Sequence, residues 1–438
     1  MSDRSVAVVG AGASGTIQAL HLLREGIERV TLIEREREPG RGVAYGTKRP
    51  EHLLNVTAGR MIVYPEDPGH FARWYKKKGG EPEDYAPRRL FGDYLQELMA
   101  AAGDRLQVVS GEAVDIKGDG PLQLRLRNGP PLTADSVVLA LGNLRPATPP
   151  GIDSSELGDL LVDDPWFGGI VDGLGDDDQV LLVGTGLTAI DAALTLDANG
   201  FRGPIIGISR RGLAPRAHLK RDPVAGEPDA FPDNVVALLR FVRRRAAEIG
   251  WREAVHELRP VTQILWSGAN LDERRRFIRH LRPWWDVHRH RIAPAVAARI
   301  EIMKQEGRLD FAAGRIVSAK RDGDRAEIHW RPRSSSQLQT LVAARMVNCT
   351  GPDLNFARCG DPLLSSLLSS GRIRPDECRL GLDVDGSSRV IDVDGAASPR
   401  LSAIGPITRG AFWESIAVPD IAVQAQAVAR RIATGIIA

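Results

Sequence analysis

The chain has 438 residues, with 58 Lys and Arg against 56 Asp and Glu, for a formal net charge of +2. Such a balance gives no footing for a polyanion, so nucleic acid is not an expected partner, and the length allows two domains with sizeable cores. The three cysteines, Cys349, Cys359 and Cys378, lie far from CxxC spacing. They suggest neither a disulfide framework nor a zinc site, and they argue against a dithiol reductase.

The first apolar strand, Val6–Val9, runs into Gly10-Ala11-Gly12-Ala13-Ser14-Gly15, and a helical pattern follows. In such a turn the first glycine permits the bend and the second lets the backbone approach a pyrophosphate. The third lets helix and strand pack, and the helix N-terminus faces the negative charge. The next strand, Val30–Ile33, ends in Glu34 and Arg35. A carboxylate at Glu34 is placed to accept hydrogen bonds from a ribose diol and would repel a 2′-phosphate, so this site suits FAD or NAD.

Residues 106–141 read as a three-stranded meander, Leu106–Ile116, Leu122–Leu126 and Val137–Leu141, closing at Gly142. A Pro-, Gly- and Asp-rich stretch at 146–170 reads as a linker. Beyond it Val180–Val183 runs into Gly184-Thr185-Gly186-Leu187-Thr188-Ala189, and Ile205–Ile208 ends in Ser209-Arg210-Arg211 with no acid. Guanidinium groups offer forked, charged donors to a 2′-phosphate, so the second turn suits NADPH. One GxGxxG is a weak signal. Two of them about 170 residues apart, each in a strand–turn–helix setting, imply two dinucleotides on one chain and electron transfer between them.

Residues of roughly 216–307 are mostly helical in pattern, with Val235–Ile249 near helical spacing. An insertion of this kind serves as a cap over an active site or as a dimer surface, and a homodimer stays open. Trp284 and Trp285 are expected in its core, and the runs Arg243–Arg245 and Arg274–Arg276 on solvated helix faces. Arg289, His290 and Arg291 either bring positive charge to a pocket or form another solvated face. His288 and His290 lack ligand spacing, so no metal is expected.

An echo of the meander runs from Leu309 through Ala326–Trp330 to Met346–Thr350 and closes at Gly351. The strand and turn Leu401–Gly405-Pro406 and a helix over Val418–Ile432 complete the chain. The expected fold class is therefore α/β, with two Rossmann-like dinucleotide-binding domains, for FAD and NADPH, and a mostly helical insertion. Residues 1–150 and 346–438 would form the FAD domain in two parts, and 151–345 the NAD(P)H domain with the insertion at about 216–307. No stretch has the apolar length of a membrane span, and a strand beginning by Val6 leaves no room for a signal peptide. A cytoplasmic compartment is expected.

Several segments together resemble a family of bacterial FAD/NAD(P)-binding proteins. They are Gly40–Thr47, His52–Met61, Gly184–Asp191, Ser209–Leu213, Trp284–Arg291, Asn348–Gly351 and Ile404–Glu414. The layout of Pro65–Tyr75 and Arg88–Leu95 is distantly similar to that of flavin-dependent N-hydroxylating monooxygenases acting on ornithine, lysine or aspartate amines. The resemblance implies that Gly10, Gly12, Ala13, Ser14, Gly15, Glu34 and Arg35 hold the FAD diphosphate and adenosine ribose. It places Arg41 and the segment of Asn55, Arg60 and Met61 along the diphosphate and flavin ring, and Val114 against adenine through its backbone. Gly142, Gly405 and Pro406 would border FAD, with Gly405-Pro406 at the ribityl chain. Trp413-Glu414-Ser415 would cap a helix aimed at the flavin. NADPH would lie on Gly184, Gly186, Leu187, Thr188, Arg210 and Arg211, and Gly351 is a further cofactor-binding position.

The activity so implied is oxygenation of the nitrogen of a small amine or amino acid, with dioxygen, through a flavin peroxide. The alternatives are a flavin dehydrogenase or reductase without productive oxygenation, and a nucleotide-binding flavoprotein without turnover. No catalytic acid or base is identifiable.

Overall fold

Two largely parallel sheets carry the two glycine turns. The structure is a computed structural model that describes residues 4–35, 38–218, 231–232 and 234–435; part of the stretch 216–307 thus lies outside the described residues. The first sheet has the order Arg389–Ile391, Ala397–Ala403, Ser136–Leu139, Ser5–Val9, Arg29–Glu34, Leu106–Ser110. Every pair is parallel except the hairpin at the Arg389–Ile391 edge. Its central strands are unbroken apolar runs because both faces are covered. The helix of the first turn, Ala13–Arg24, packs against Arg88–Ala102 and Val418–Thr434. Strands and helices from both ends of the sequence thus share one core.

The second sheet runs Gln339–Ala343, Arg325–Pro332, Leu309–Asp322, Ile205–Ser209, Val180–Val183, Arg345–Asn348, Leu161–Val162. The long strand Leu309–Asp322 begins parallel to Ile205–Ser209 and from Gly314 onward pairs antiparallel with Arg325–Pro332. The echo read at 309–350 is therefore one strand shared between a parallel ladder and an antiparallel one, followed by a return into the parallel sheet.

The first meander is built differently from its reading in sequence. The run 106–116 breaks at Gly111, whose amide donates to the Glu34 carbonyl at 2.8 Å. Leu106–Ser110 closes the edge of the parallel sheet beside Arg29–Glu34. Only Ala113–Lys117 enters the three-stranded antiparallel sheet, with Leu122–Leu126 and Leu132–Ala134. Ser136–Leu139 then lies between Ser5–Val9 and Ala397–Ala403, in the parallel sheet rather than the meander.

The described part of the insertion is mostly helical, as read, and Val235–Ile249 has the expected bounds, its start capped by Asn234 on the Ala237 amide at 2.9 Å. Its core includes Trp285 together with Leu380 and Trp413 from the C-terminal part. Trp284 is a correction: it is 47% exposed, because consecutive helix positions cannot share one face. Arg245 and Arg274 also depart from the solvated reading. Arg245 pairs with buried Glu257 at 2.8 Å, and Arg274 donates to the Ala269 carbonyl at 2.9 Å. Among the described residues, no helix is long and apolar enough to cross a membrane.

Candidate functional site

Both glycine turns have the same backbone construction. Gly10 has φ 99° and Gly184 φ 120°, a region that favours glycine. A Cβ at Gly10 would lie 2.5 Å from the Ala140 carbonyl oxygen, and one at Gly184 would lie 2.5 Å from that of Cys349. Each turn therefore sits directly on the strand that re-enters its sheet. The helices that follow start at Gly12 and Gly186, and neither start has a side-chain cap or an acid in its first turn. Ala13, Ser14 and Gly15, like Leu187 and Thr188, thus lie in first turns whose amides have no side-chain acceptor from the cap, which is the arrangement that receives a phosphate. A Cβ at Gly186, Gly142 or Gly351 would meet no atom within 4 Å, so space remains beside each turn.

The ends of the second strands differ. Glu34 Oε2 accepts the Ala11 amide at 2.9 Å, and Oε1 accepts the Arg35 amide at 3.0 Å. The Arg35 side chain turns away to Asp361 at 3.0 Å. In the second sheet Ser209 occupies the Glu34 position, since Gly10 and Gly184 donate to the carbonyls of Ile33 and Ile208 respectively. The Ser209 hydroxyl lies 2.8 Å from that of Thr185 and accepts the Gly212 amide at 3.0 Å. Arg210 is exposed, and Arg211 lies 5.7 Å from the Trp284 ring of the insertion.

Residues 7–144 match the model of a family described as FAD-NAD(P)-binding. Among solved structures, the chain is similar to L-lysine 6-monooxygenase from Pseudomonas syringae, at 16% identity and TM-score 0.70, covering 99% of this chain and 100% of that one. It is also similar to the ornithine N-hydroxylase of Kutzneria sp. 744, at 16% identity and TM-score 0.68, covering 97% of each chain. The fold is that of these hydroxylases. Thioredoxin reductase from T. acidophilum shares it less closely, at 13% identity and TM-score 0.57, over 100% of both chains. No curated protein matches the chain.

Within this fold of two sheets the segment after the first turn joins the two halves. Arg88 donates both Nη atoms to Asp191, at 2.8 and 3.2 Å, with both side chains buried. Asp191 lies in the helix Leu187–Ala198 of the second turn. Buried His52 places Nε2 3.0 Å from Thr195 Oγ1 on the same helix, and burial lowers its pKa. Asn55 is part of this joint: its carbonyl receives His218 at 2.8 Å, and its Oδ1 lies 3.5 Å from Arg88. Nothing local in the sequence marked Arg88 and Asp191 as partners, because they are 103 positions apart.

The other expected cofactor residues separate into several environments. Arg41 is held by Asp93 at 2.6 Å and Glu38 at 2.9 Å. Met61 is buried, and Arg60 lines a cavity shared with the insertion. Val114 is buried in the three-stranded sheet. Gly405 lies against the first turn itself, since a Cβ there would fall 2.6 Å from Ser14 Oγ, and Pro406 is buried beside it. Trp413 packs into the insertion, 4.6 Å from Trp266 between ring centroids. It does not begin a helix: Val418–Thr434 starts at Ala417, without a side-chain cap.

The solvated-face alternative for Arg289, His290 and Arg291 fails, because all three are drawn inside. Arg289 pairs with Glu414 at 2.6 Å, and Arg291 donates to the carbonyls of His288 and Arg252. His290 is pushed well down, first by burial and then by Arg289. Arg409 stacks 4.2 Å over Trp413 and is pushed down to about 10 by burial and by Arg282. Asp286, next to His290 at 3.5 Å, is pushed up by burial. Among the described residues no group of three or more His, Cys, Asp or Glu is arranged to hold a metal ion.

Proposed function

We propose that the protein is an FAD-dependent oxidoreductase that draws electrons from NADPH and hydroxylates the nitrogen of a small amine or amino acid with dioxygen. What carries this reading is the pair of uncapped, glycine-bent helix starts on two parallel sheets of one chain, in the fold of ornithine and lysine hydroxylases. Residues 1–150 and 346–438 would hold FAD, and 151–345 NADPH. Bound FAD supplies a hydride acceptor that can pass electrons on to dioxygen.

The chain's own residues bind and orient. The amides of Ala13 to Gly15 would face one pyrophosphate, and Glu34, whose carboxylate already fixes the Ala11 and Arg35 amides, would accept from the adenosine ribose. Arg210 and Arg211 offer charged donors to the NADPH 2′-phosphate. The two cradles differ in cover. A Cβ at Gly12 would lie 3.6 Å from Gly42 Cα, whereas the space at Gly186 is open. A covered cradle suits a resident FAD, and an open one suits a nucleotide that exchanges on every turnover. The cysteines do not suit a dithiol reductase. Cys349, Cys359 and Cys378 pack in three separate clusters, and burial pushes each thiol up, away from the reactive thiolate.

The test is to reduce the FAD-loaded protein anaerobically with NADPH, admit oxygen with a panel of amines, and measure hydroxylated amine and hydrogen peroxide per NADPH. Product approaching one per NADPH supports the hydroxylase. Stoichiometric peroxide with every amine points to a flavin dehydrogenase or reductase, and failure of NADPH to reduce the flavin leaves a nucleotide-binding protein.

A further inference from the structure

Arg409 is 7% exposed, yet its charge has no counterion. Its guanidinium stacks 4.2 Å over the Trp413 ring, and its Nε is sealed without an acceptor. Among the described residues, no side chain forms an ion pair or hydrogen bond with it. The carboxylates around it are committed elsewhere. Asp286 Oδ2 lies 3.3 Å from Arg282, and Glu414 Oε2 takes Arg289 at 2.6 Å. Aromatic packing ties these groups together, since Phe277 sets its ring against Trp285 of the helix Arg282–Arg289 and against Trp413, at 6.2 and 5.2 Å between centroids. Trp266 Nε1 also donates to the Gly410 carbonyl at 2.8 Å, which fixes the backbone beside Arg409. Three arginines thus stand against two carboxylates, and the most deeply buried cation is the one left over. A buried charge without a partner is costly, so Arg409 calls for an anion that the chain does not supply.

The 3-10 turn Gly405–Thr408 separates Arg409 from the first glycine turn, where Gly405 abuts Ser14. Such a turn advances the chain by about 8 Å from Gly405 to Arg409. A dinucleotide with its pyrophosphate on Ala13–Gly15 would run past Gly405 and carry its flavin beyond it. The nearby helix start is poorly made to supply positive charge there. Val418–Thr434 has Pro419, which has no N–H, and Asp420 in its first turn. We propose that Arg409 receives the negative charge of the reduced flavin. Hydride from NADPH adds to flavin N5, NADP+ leaves, and the charge settles on the N1–C2 carbonyl edge, to which the guanidinium donates. The assignment rests on the FAD and NADPH reading and deepens it: one residue sets how strongly the protein favours reduced over oxidised FAD. Trp413 holds the guanidinium plane, while Arg282 and Arg289 keep Asp286 and Glu414 from neutralising it.

The test compares the midpoint potential of bound FAD in wild type, Arg409→Lys and Arg409→Met. Loss of the charge should weaken reduced relative to oxidised FAD about tenfold to hundredfold, a drop of about 30–60 mV. Arg409→Lys keeps the charge and should show less than half of that drop. Wild type alone gives a second reading, which stands even where Arg409→Met does not hold FAD. Its potential should fall by about 30 mV per pH unit down to about pH 5, one proton being taken up with two electrons. A fall of about 60 mV per unit there would mean that N1 is protonated, and would overturn the proposal. Equal potentials in wild type and Arg409→Met would overturn it as well, and would leave the FAD reading standing. FAD that binds but is not reduced by NADPH would remove the functional reading alone, because dithionite reduction still measures what the arginine does. Wild type that takes up no FAD would end both.

Discussion

At the first turn the strand Arg29–Glu34 ends in a carboxylate that accepts the Ala11 amide at 2.9 Å. At the second the equivalent strand ends in Ser209, whose hydroxyl meets Thr185 at 2.8 Å, and two arginines follow. The third small residue differs too. A Cβ at Gly15 would collide with the Gly10 carbonyl oxygen, whereas Ala189 is buried at the same place in the second turn. The first turn is thus tighter, and the Gly40–Gly42 loop lies over it, with the Gly40 amide donating to the Ala11 carbonyl at 2.8 Å. The glycine pattern alone says that a pyrophosphate can approach. On the proposed function, the residue ending the neighbouring strand and the segment covering the turn would decide which dinucleotide fits and whether it stays.

The largest expected effect concerns what joins the two turns. Arg88→Met leaves Asp191 buried without its partner and should cost about 3–5 kcal/mol, read as a fall in Tm; adding Asp191→Leu should recover much of it. A negligible fall would mean that the halves are held by packing alone. Next, Gly15→Ala should cost about 3 kcal/mol and most of the bound FAD, while Gly186→Ala should change stability by less than about 0.5 kcal/mol. Equal losses by thermal denaturation would break the contrast between a tight turn and an open one.

Replacing Arg210 and Arg211 together by Ala should weaken NADPH about tenfold to a hundredfold, the worth of one or two charge-assisted hydrogen bonds, and leave NADH nearly unchanged. Equal losses for the two nucleotides would remove the 2′-phosphate role. The smallest effect is a pH dependence at the joint. Burial lowers the His52 pKa, so the unfolded chain takes up its proton near pH 6.5 while the folded chain does not. Stability from this group is complete above about pH 6.5 and declines as pH falls through that value towards the lower folded pKa. His21, His70, His288 and His290 shift in the same direction, so His52→Asn should flatten only part of the fall in Tm.

Much of the fold was legible because it depends on neighbours in sequence. Apolar runs followed by glycines marked both turns, and helical spacing gave Val235–Ile249 its bounds. The meander was misread where a single run, 106–116, serves two sheets, since strand propensity does not say which edge a strand will meet. The candidate site was legible only in its glycines and in the charges closing the second strands. Glu414 and Arg289, 125 positions apart, carry no mark of their pairing, and Trp284 and Trp285 look alike in sequence although only one is buried.

By itself, then, the sequence determined two strand–turn–helix units, the carboxylate at one and the arginines at the other. These follow from backbone freedom and from chemistry within a few residues. That Arg88 reaches Asp191, that the Gly40–Gly42 loop covers the first turn, and that Arg60 and Arg259 line one cavity is settled only when the chain has folded. Those outcomes depend on which distant segments pack together, and burial then sets the cost of every charge left without a partner.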